Sequence, residues 1–452
     1  MKDIVQTSLL SRRWKDLSKI LLCSTINLDF DNEFTSKNHT PQQFVATINY
    51  YMELHDTKKI KRLQLFLHPE DAYISDAHKW IQLTTTKGVE ELHLNFSQGF
   101  VDEHGQSING RRPFQLPPCL FYSKELYLLK LSHCSFIPPS EFTAFGSHQT
   151  LSLDRIHISA TVLQNLILYC PLLENLKLVT PDFTGDFDLN LKILVTGLRL
   201  KNLILIDCVF ICHMEISAPN LQSFHYVGEL YCEFFFNIPS LVDAFISSMG
   251  REYAEPEQEY LQILSDIAHV KILTVCTATL IRASWEEFRN SPIVLQNLQE
   301  LQLLIEWMDE YYLACMYSFF RVCRFPILQQ LFIQLPIRPE ANAINGTPNA
   351  MEQPLDGAFN HLRMIKINNF KGCMSEIKLV IYFLKNGVNL ETLILITPQK
   401  SKIDSEAMEV LHKLVSSSPK ASLGTQIVLC EYPEENCYLH PTHTRLYEEY
   451  EF

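Results

Sequence analysis

The sequence predicts an α/β fold, a leucine-rich-repeat solenoid that is curved and carries its strands on the concave face. Three observations support this prediction. The chain has 452 residues, too many for one compact core. The motif L-x-x-L-x-L-x-x-C stands at 126–134, and its L-x-x-L-x-L part recurs, with most successive copies roughly 20 to 37 residues apart. Glycine is scarce, with 14 residues, which argues against a glycine-rich nucleotide-binding architecture.

Composition narrows the class and the compartment. Apolar residues make up 47% and charged residues 20% of the chain, a balance typical of a folded protein. The net charge of -13 comes without a basic stripe, so we expect neither nucleic acid nor a membrane surface as partner. We find no signal peptide and no apolar run near twenty residues, and the 13 cysteines are odd in number and dispersed. We therefore expect an intracellular protein, in the nucleus, the cytoplasm or both.

The repeat at 126–134 shows how each unit is built. Leu129 and Leu131 point inward at period two, Leu126 closes the turn below them, and Cys134 occupies the bend where the chain leaves the strand. Each unit buries its leucines only by stacking on its neighbours. Further copies begin at these positions: Ile60, Val89, His148, Leu173, Leu200, Leu221, Val270, Leu298, Leu328, Leu362 and Leu390.

The N-terminal stretch has the spacing of one apolar helical face, formed by Val5, Leu9, Leu10, Trp14 and Leu17. Two interpretations stay open from spacing alone. The stretch is either a helix that caps the repeat array or a helix that docks on a partner.

The outward positions of the strands are the candidate binding site for a target protein. In the middle repeats, Ile204 and Ile206 form an apolar strip beside Asn202 and His225, and Phe332 lies further along. Two alternatives compete with binding. A loop or another part of the chain covers the strip, or the register is one residue off and these side chains are core.

Two groups of residues have donor atoms that suit a metal ion, and we expect metal at neither. Zinc requires four converging ligands, usually in closely spaced pairs. Packing explains the first group better, and the second lies in a tail. The groups are Cys208, Cys212, His213 and Cys430, Cys437, His440, His443. No hydrolase elbow, P-loop, H-E-x-x-H or Rossmann motif occurs, so we expect no enzyme activity and no cofactor.

Three motifs resemble plant F-box proteins with leucine-rich repeats and an FBD domain. Residues 2–14 and 28–31 are similar to the second half of the F-box, K-D-x-V-x-T-S-x-L-S-x-R-W followed by L-D-F-D. Residues 170–174 read C-P-x-L-E, and residues 362–372 with the helix at 375–385 resemble the start of the FBD domain. The resemblance implies a partial F-box at 1–35, whose first helix would precede Met1, repeats at 45–340, an FBD-like domain at 355–430 and an acidic tail at 431–452.

By this resemblance, the protein is expected to recognise substrates for an SCF-type ubiquitin ligase. The N-terminal apolar residues would engage a Skp-type adaptor with its cullin complex, and the concave face would hold an unknown target. The alternative is a repeat protein or decoy that binds the target without engaging the ligase.

Overall fold

The computed structural model describes these residues: 27–30, 41–54, 59–67, 74–97, 113–139, 145–183, 189–194, 199–208, 211–228, 233–247, 260–285, 292–337, 359–398, 420–430 and 439–449. The chain divides into two compact units, Met1–Leu221 and Gln222–Phe452. Within the described ranges, no helix has the length and apolar content needed to cross a bilayer.

The first unit is built on parallel strands. Its helices are α1 (Pro41–Leu54), α2 (Ile74–Thr86) and α3 (Ala160–Tyr169). Its strands are β1 (Asn27–Phe30), β2 (Arg62–Phe66), β3 (Glu91–Asn95), β4 (Phe114–Gln115), β5 (Leu128–Ser132), β6 (Cys134–Ser135), β7 (Thr150–Asp154), β8 (His157–Ile158), β9 (Asn175–Val179), β10 (Asp182–Phe183), β11 (Leu189–Leu194), β12 (Asn202–Ile206) and β13 (Ile211–Ser217). The main sheet has the order β1-β2-β3-β5-β7-β9-β12, and β4-β6-β8-β10 form a smaller parallel ladder.

The second unit repeats the parallel arrangement. Its strands are β14 (Ser223–Val227), β15 (Glu233–Asn237), β16 (Asp243–Ser247), β17 (Ile272–Cys276), β18 (Ile293–Val294), β19 (Glu300–Leu304), β20 (Cys323–Arg324), β21 (Gln330–Gln334), β22 (Met364–Asn368), β23 (Thr392–Ile396) and β24 (Gln426–Cys430). Its helices are α4 (Tyr260–Asp266), α5 (Thr277–Ala283), α6 (Glu310–Val322), α7 (Met374–Asn386) and α8 (Thr444–Glu449). The main sheet has the order β14-β16-β17-β19-β21-β22-β23-β24.

These sheets confirm the leucine-rich-repeat fold class, and the predicted register is correct. Leu126, Leu129 and Leu131 are buried, and each residue that begins a predicted copy is buried too. Neighbouring strands align their inward leucines directly, as in the pairing of Leu129 with Leu151. The sequence missed one copy in the long interval between Leu221 and Val270. There β16 carries Ala244 and Ile246 as its inward residues, so the leucine pattern is broken.

The turn after many strands uses a left-handed residue. This conformation lets the chain leave the sheet sharply while the backbone N–H of the same residue bonds to the next strand, as His133 N–H does to the carbonyl of Asp154 at 3.0 Å. Cys134 follows at once and is fully buried, and this burial raises the pKa of its thiol. The left-handed residues, with φ between 42° and 59°, are His133, Arg155, Thr180, Asp207 and Asn369.

The helices start at caps that the sequence supplies. The Ser159 hydroxyl accepts from the Val162 N–H at 3.2 Å before α3, and Pro171 follows the end of that helix as predicted. At α7, the Glu376 carboxylate accepts from the backbone N–H groups of Lys371 and Gly372, both at 2.8 Å. Because α7 lies between β22 and β23, the 355–430 segment contributes strands to the same sheet as β14 to β21.

Candidate interaction surface

The strands of the first unit alternate between buried and accessible side chains. In β2, β7, β9 and β12, the second and fourth residues are buried while the first, third and fifth remain partly exposed. The third residues align across the sheet in register and form a continuous row. We call this set the first-unit row: Gln64, His93, Lys130, Ser152, Lys177 and Ile204. It is a surface that a protein or peptide can reach.

The predicted site residues of β12 lie at one end of this surface. Ile204 and Ile206 point outward and are partly exposed, while Leu203 and Leu205 between them are fully buried. The Asn202 amide donates to the Asn175 side-chain oxygen at 2.6 Å, and the Asn175 amide donates to the Thr150 hydroxyl at 3.0 Å. The structure thus brings an apolar pair beside a row of hydrogen-bonded polar side chains. Target binding by these residues stays a prediction.

The other end of the first-unit surface is charged. The Glu91 carboxylate accepts from Arg62 and from the Tyr127 hydroxyl, each at 2.5 Å. Burial alone would raise the pKa of Glu91, but these hydrogen bonds outweigh it and lower the pKa below its ordinary value. Burial, with the cations of Lys130 and Arg62 nearby, lowers the pKa of His93 to about 4, so its imidazole is neutral at physiological pH.

The strands of the second unit lack this alternation. In β14, β16, β17, β19 and β23, all four residues after the first are buried. The third residues again align in register, from β14 to β23. This second-unit row consists of His225, Phe245, Thr274, Gln302, Phe332, Lys366 and Ile394, and every member is buried.

Two predicted target-binding residues therefore need correction. His225 and Phe332 hold outward positions in their strands, as predicted, but they are only 8% and 3% exposed. Neither offers the accessible surface that the sequence analysis expected. The reason is that another part of the chain lies over these positions, an alternative that the sequence analysis considered for the strip at Ile204 and Ile206.

From β14 to β22 the covering element is the C-terminal segment (439–449), whereas Ile394 in β23 packs with Ile396 and Cys430. The Lys366 ammonium donates to the Leu439 carbonyl at 3.3 Å, and the Thr442 N–H and hydroxyl donate to the Glu300 carboxylate at 2.7 and 2.8 Å. Residues 439–442 thus cross from β22 to β19, over the strand that carries Phe332. Further along, the Tyr447 hydroxyl donates to Gln302, which is fully buried.

The segment places His443 among the side chains of β14, β16 and β17. The His443 ring lies 2.7 Å from the Thr274 hydroxyl through Nδ1 and 3.1 Å from Asp243 Oδ1 through Nε2. His225 Nε2 lies 3.3 Å from the same Asp243 oxygen, which also accepts from the Ser223 hydroxyl at 2.7 Å. Burial would raise the pKa of Asp243, but the hydrogen bonds from both imidazoles and Ser223 lower it strongly. The carboxyl is therefore ionised.

The two metal candidates taken from sequence spacing do not assemble as groups in the described residues. Cys208 is buried and lies 3.7 Å from the Ile206 carbonyl, whereas His213 is exposed. Cys437 lies outside the described residues, and His440 is exposed while His443 turns toward Asp243. The predicted F-box residues Val5, Leu9, Leu10, Trp14 and Leu17 also lie outside the described residues.

Sequence reasoning missed Asp243, Thr274 and Tyr447. Asp243 belongs to the one repeat that the leucine pattern did not reveal. Thr274 and Gln302 carried a usable signal, because polar side chains at the centre of parallel strands need a hydrogen-bonding partner if they are covered. That partner was a segment with no repeat pattern of its own.

Comparison with known proteins gives a consistent result. The family model described as "At1g61320/AtMIF1, LRR domain" matches residues 51–423. An Arabidopsis thaliana F-box/FBD/LRR-repeat protein, At1g13570, is 25% identical over 94% of this chain and 93% of its own. The FBD-associated F-box protein At1g61320 is 23% identical over 91% of this chain and 87% of its own. The F-box/FBD/LRR-repeat protein At5g56420 is 25% identical over 94% of each chain.

Proposed function

Because the chain belongs to the leucine-rich-repeat family of the At1g61320/AtMIF1 domain, we propose that it is a substrate-recognition subunit of an SCF-type E3 ubiquitin ligase. Its relatives are named F-box, FBD and leucine-rich-repeat proteins, and the sequence at 2–31 is similar to the second half of an F-box. In this proposal, the N-terminal residues engage a Skp-type adaptor and, through it, a cullin complex. The protein acts inside the cell, where it presents a target to the ligase and performs no chemistry itself.

The observation that supports target binding is the accessible first-unit surface. Its row of partly exposed side chains runs from β2 to β12, and an apolar pair, Ile204 and Ile206, stands beside the Asn175 and Asn202 amides. An apolar centre with hydrogen-bonding groups at its edge is the usual composition of a protein-binding hot spot. We therefore assign the target to the first-unit surface rather than to the covered second-unit row.

The adaptor half of the proposal is tested by pull-down with a purified Skp-type adaptor. We expect the full chain to be captured and the Leu10→Asp variant to lose capture, since a charge on the apolar helical face breaks a hydrophobic contact. The matched control is Leu168→Asp, at an exposed position of α3, which keeps capture. A folded chain that the adaptor never captures would contradict the ligase role.

The target half is tested by the Ile206→Asp variant, again with Leu168→Asp as control. We expect Ile206→Asp to fold, because Ile206 is partly exposed, and to lose proteins that the wild type and the control both retain. The retained proteins are then incubated with a ligase reconstituted with each of the three chains. A true target is ubiquitinated when the ligase contains the wild type or the control and not when it contains Ile206→Asp. Equal retention by all three chains would remove the first-unit surface as the binding site.

A second candidate function is a repeat protein that binds the target without recruiting the ligase. We keep it because the family assignment rests on the repeat region, residues 51–423, and this match is independent of the F-box-like stretch at 2–31. The two functions separate in the experiments above. Target retention through Ile206 without adaptor capture supports the second.

A further inference from the structure

The buried cluster under the C-terminal segment joins three parts of the chain that are far apart in sequence. His225 comes from β14, Asp243 from β16 and His443 from the C-terminal segment; the first two are 18 positions apart in sequence and the last two 200 positions apart. We propose that these three side chains form a binding site for a divalent first-row transition-metal ion, with Zn²⁺ as the ion of choice. The site is independent of the ligase proposal, since it lies outside the first-unit surface.

The geometry suits one small ion. The ligand atoms of the three residues all lie within 4.8 Å of one another, and both imidazoles present Nε2 to the same Asp243 oxygen at 3.1 and 3.3 Å. Zinc–nitrogen and zinc–oxygen bonds of about 2.0 to 2.2 Å place neighbouring ligand atoms of a tetrahedron about 3.3 Å apart. The observed separations between each imidazole and the carboxylate are therefore close to those of adjacent zinc ligands.

The donor set determines the class of ion. Two imidazoles and one carboxylate suit zinc and its first-row neighbours, whereas calcium and magnesium prefer oxygen ligands alone. His225 and His443 are both buried, and the Asp243 side chain between them offers a carboxylate oxygen to the same point. The Ser223 hydroxyl, 3.0 Å from His225 Nε2 and 2.7 Å from Asp243 Oδ1, stands where it or a water molecule can complete four ligands.

A hydrogen bond from Thr274 orients the ligand that the C-terminal segment contributes. The Thr274 hydroxyl lies 2.7 Å from His443 Nδ1 and is fully buried. A hydrogen bond at the far nitrogen fixes the ring and leaves Nε2 directed at the metal, as the hydrogen-bond partners of ligating imidazoles do in zinc sites.

The proposed ion would fasten the C-terminal segment to the sheet. Two ligands belong to strands and the third to the covering segment, so metal binding holds the segment over the second-unit row. The competing explanation is a hydrogen-bonded cluster of two imidazoles and a carboxylate with no role for metal. The two differ in whether zinc changes the behaviour of the segment.

The first test is isothermal titration of the metal-free full chain with ZnCl₂. We expect zinc binding in the wild type and no binding at this site in His443→Ala or Asp243→Asn. The control His440→Ala, which removes an exposed imidazole of the same segment, should keep the binding. Cobalt(II) provides a spectroscopic check, with the visible bands of a tetrahedral ion and without the intense charge-transfer band of cobalt–thiolate bonds. Such a thiolate band would place the metal on cysteines and overturn the proposal.

The second test measures the segment directly, by hydrogen exchange of the 441–447 amides with and without zinc. At free zinc ten times the measured Kd, we expect exchange to slow about tenfold in the wild type and in His440→Ala. We expect no change in Asp243→Asn, whose circular dichroism must match the wild type. Zinc binding that survives His443→Ala, or that leaves exchange of the segment unchanged, would show that the cluster is only a hydrogen-bonded one.

Discussion

The inward-facing side chains of the sheet are buried in both units of this chain, but the outward-facing side chains differ in their exposure. In both units, the strands of the main sheet from β1 to β23 direct their second and fourth residues into the core, as Leu203 and Leu205 do in one and Leu273 and Val275 in the other. The outward third residues differ: Lys177 and Ile204 remain accessible, while Gln302 and Phe332 are buried. A leucine-rich repeat thus fixes only one face of its sheet. What covers the other face is decided by residues that lie outside the repeat pattern.

The difference between the faces predicts a large difference in tolerance to charge. Phe332→Asp places a carboxylate under the C-terminal segment, and we expect it to destabilise the second unit by about 4 kcal/mol or more. Ile204→Asp makes the equivalent change at a partly exposed position and should cost about 1 kcal/mol. Urea unfolding followed by hydrogen exchange at β21 and at β12 assigns each loss to its unit.

This pair of variants also tests the assignment of the faces. If Ile204→Asp unfolds the first unit as severely as Phe332→Asp unfolds the second, the first-unit surface is covered too. If both are tolerated, the C-terminal segment does not shield Phe332.

The next largest effect concerns the segment itself. Burial raises the pKa of the Tyr447 phenol, which stays protonated and donates to the buried Gln302 amide oxygen. Tyr447→Phe removes this bond and should cost about 1 to 2 kcal/mol, because Gln302 is left without that donor in a dry site. Tyr447→Ala also removes the buried ring and should cost about 3 to 5 kcal/mol.

Thermal unfolding of the two Tyr447 variants gives the measurement, and Arg445→Ala serves as control at an exposed position of the same helix. A melt that is unchanged in Tyr447→Ala would mean that the segment contributes nothing to the second unit. Equal losses in Phe and Ala variants would place the whole effect in the hydrogen bond.

The fold could be predicted from sequence because each repeat carries its motif within a short stretch of residues. The spacing of Leu126, Leu129 and Leu131 predicts a strand, its register and its buried face within six residues. Copies of this pattern along the chain predict the parallel sheet. The missed repeat at β16 shows the limit, since Ala244 is too small to be recognised as a core position. The helix expected at 375–385 came with the FBD-like motif, and the structure has it as α7 (Met374–Asn386).

The candidate sites were predicted less completely because they depend on long-range contacts. Ile204 and Ile206 were identified correctly as outward, since period two settles direction. Whether an outward residue is exposed depends on the rest of the chain, and no local pattern brings His443 to Asp243 across 200 residues. Period two therefore describes the direction of a side chain and leaves its environment open.

The smallest expected effect concerns pH in the first unit. Burial lowers the pKa of His93 to about 4 from an ordinary value of 6.5. The unfolded chain therefore takes up a proton at this residue between pH 6.5 and 4 while the folded chain does not, so the first unit loses stability as the pH falls through that window. Because His93 is only partly buried, we expect a loss of about 1 kcal/mol between pH 7 and 5.

His93→Gln removes this titration and keeps a polar side chain in the first-unit row. The urea midpoint of this variant at β3 should fall less between pH 7 and 5 than the midpoint of the wild type. The chains are equilibrated at each test pH, and unfolding at β3 is then measured by hydrogen-exchange pulses at one fixed pH. The matched control is His157→Gln, which removes a partly exposed imidazole that lies 2.8 Å from Asp182 and should keep the wild-type response at β3. Parallel curves for wild type and His93→Gln would mean that His93 titrates in the folded chain as it does in the unfolded one. In that case, the outward face of the first unit would be as open to solvent at its charged end as at Ile204, and the contrast with the second unit would be stronger than the burial of His93 indicates.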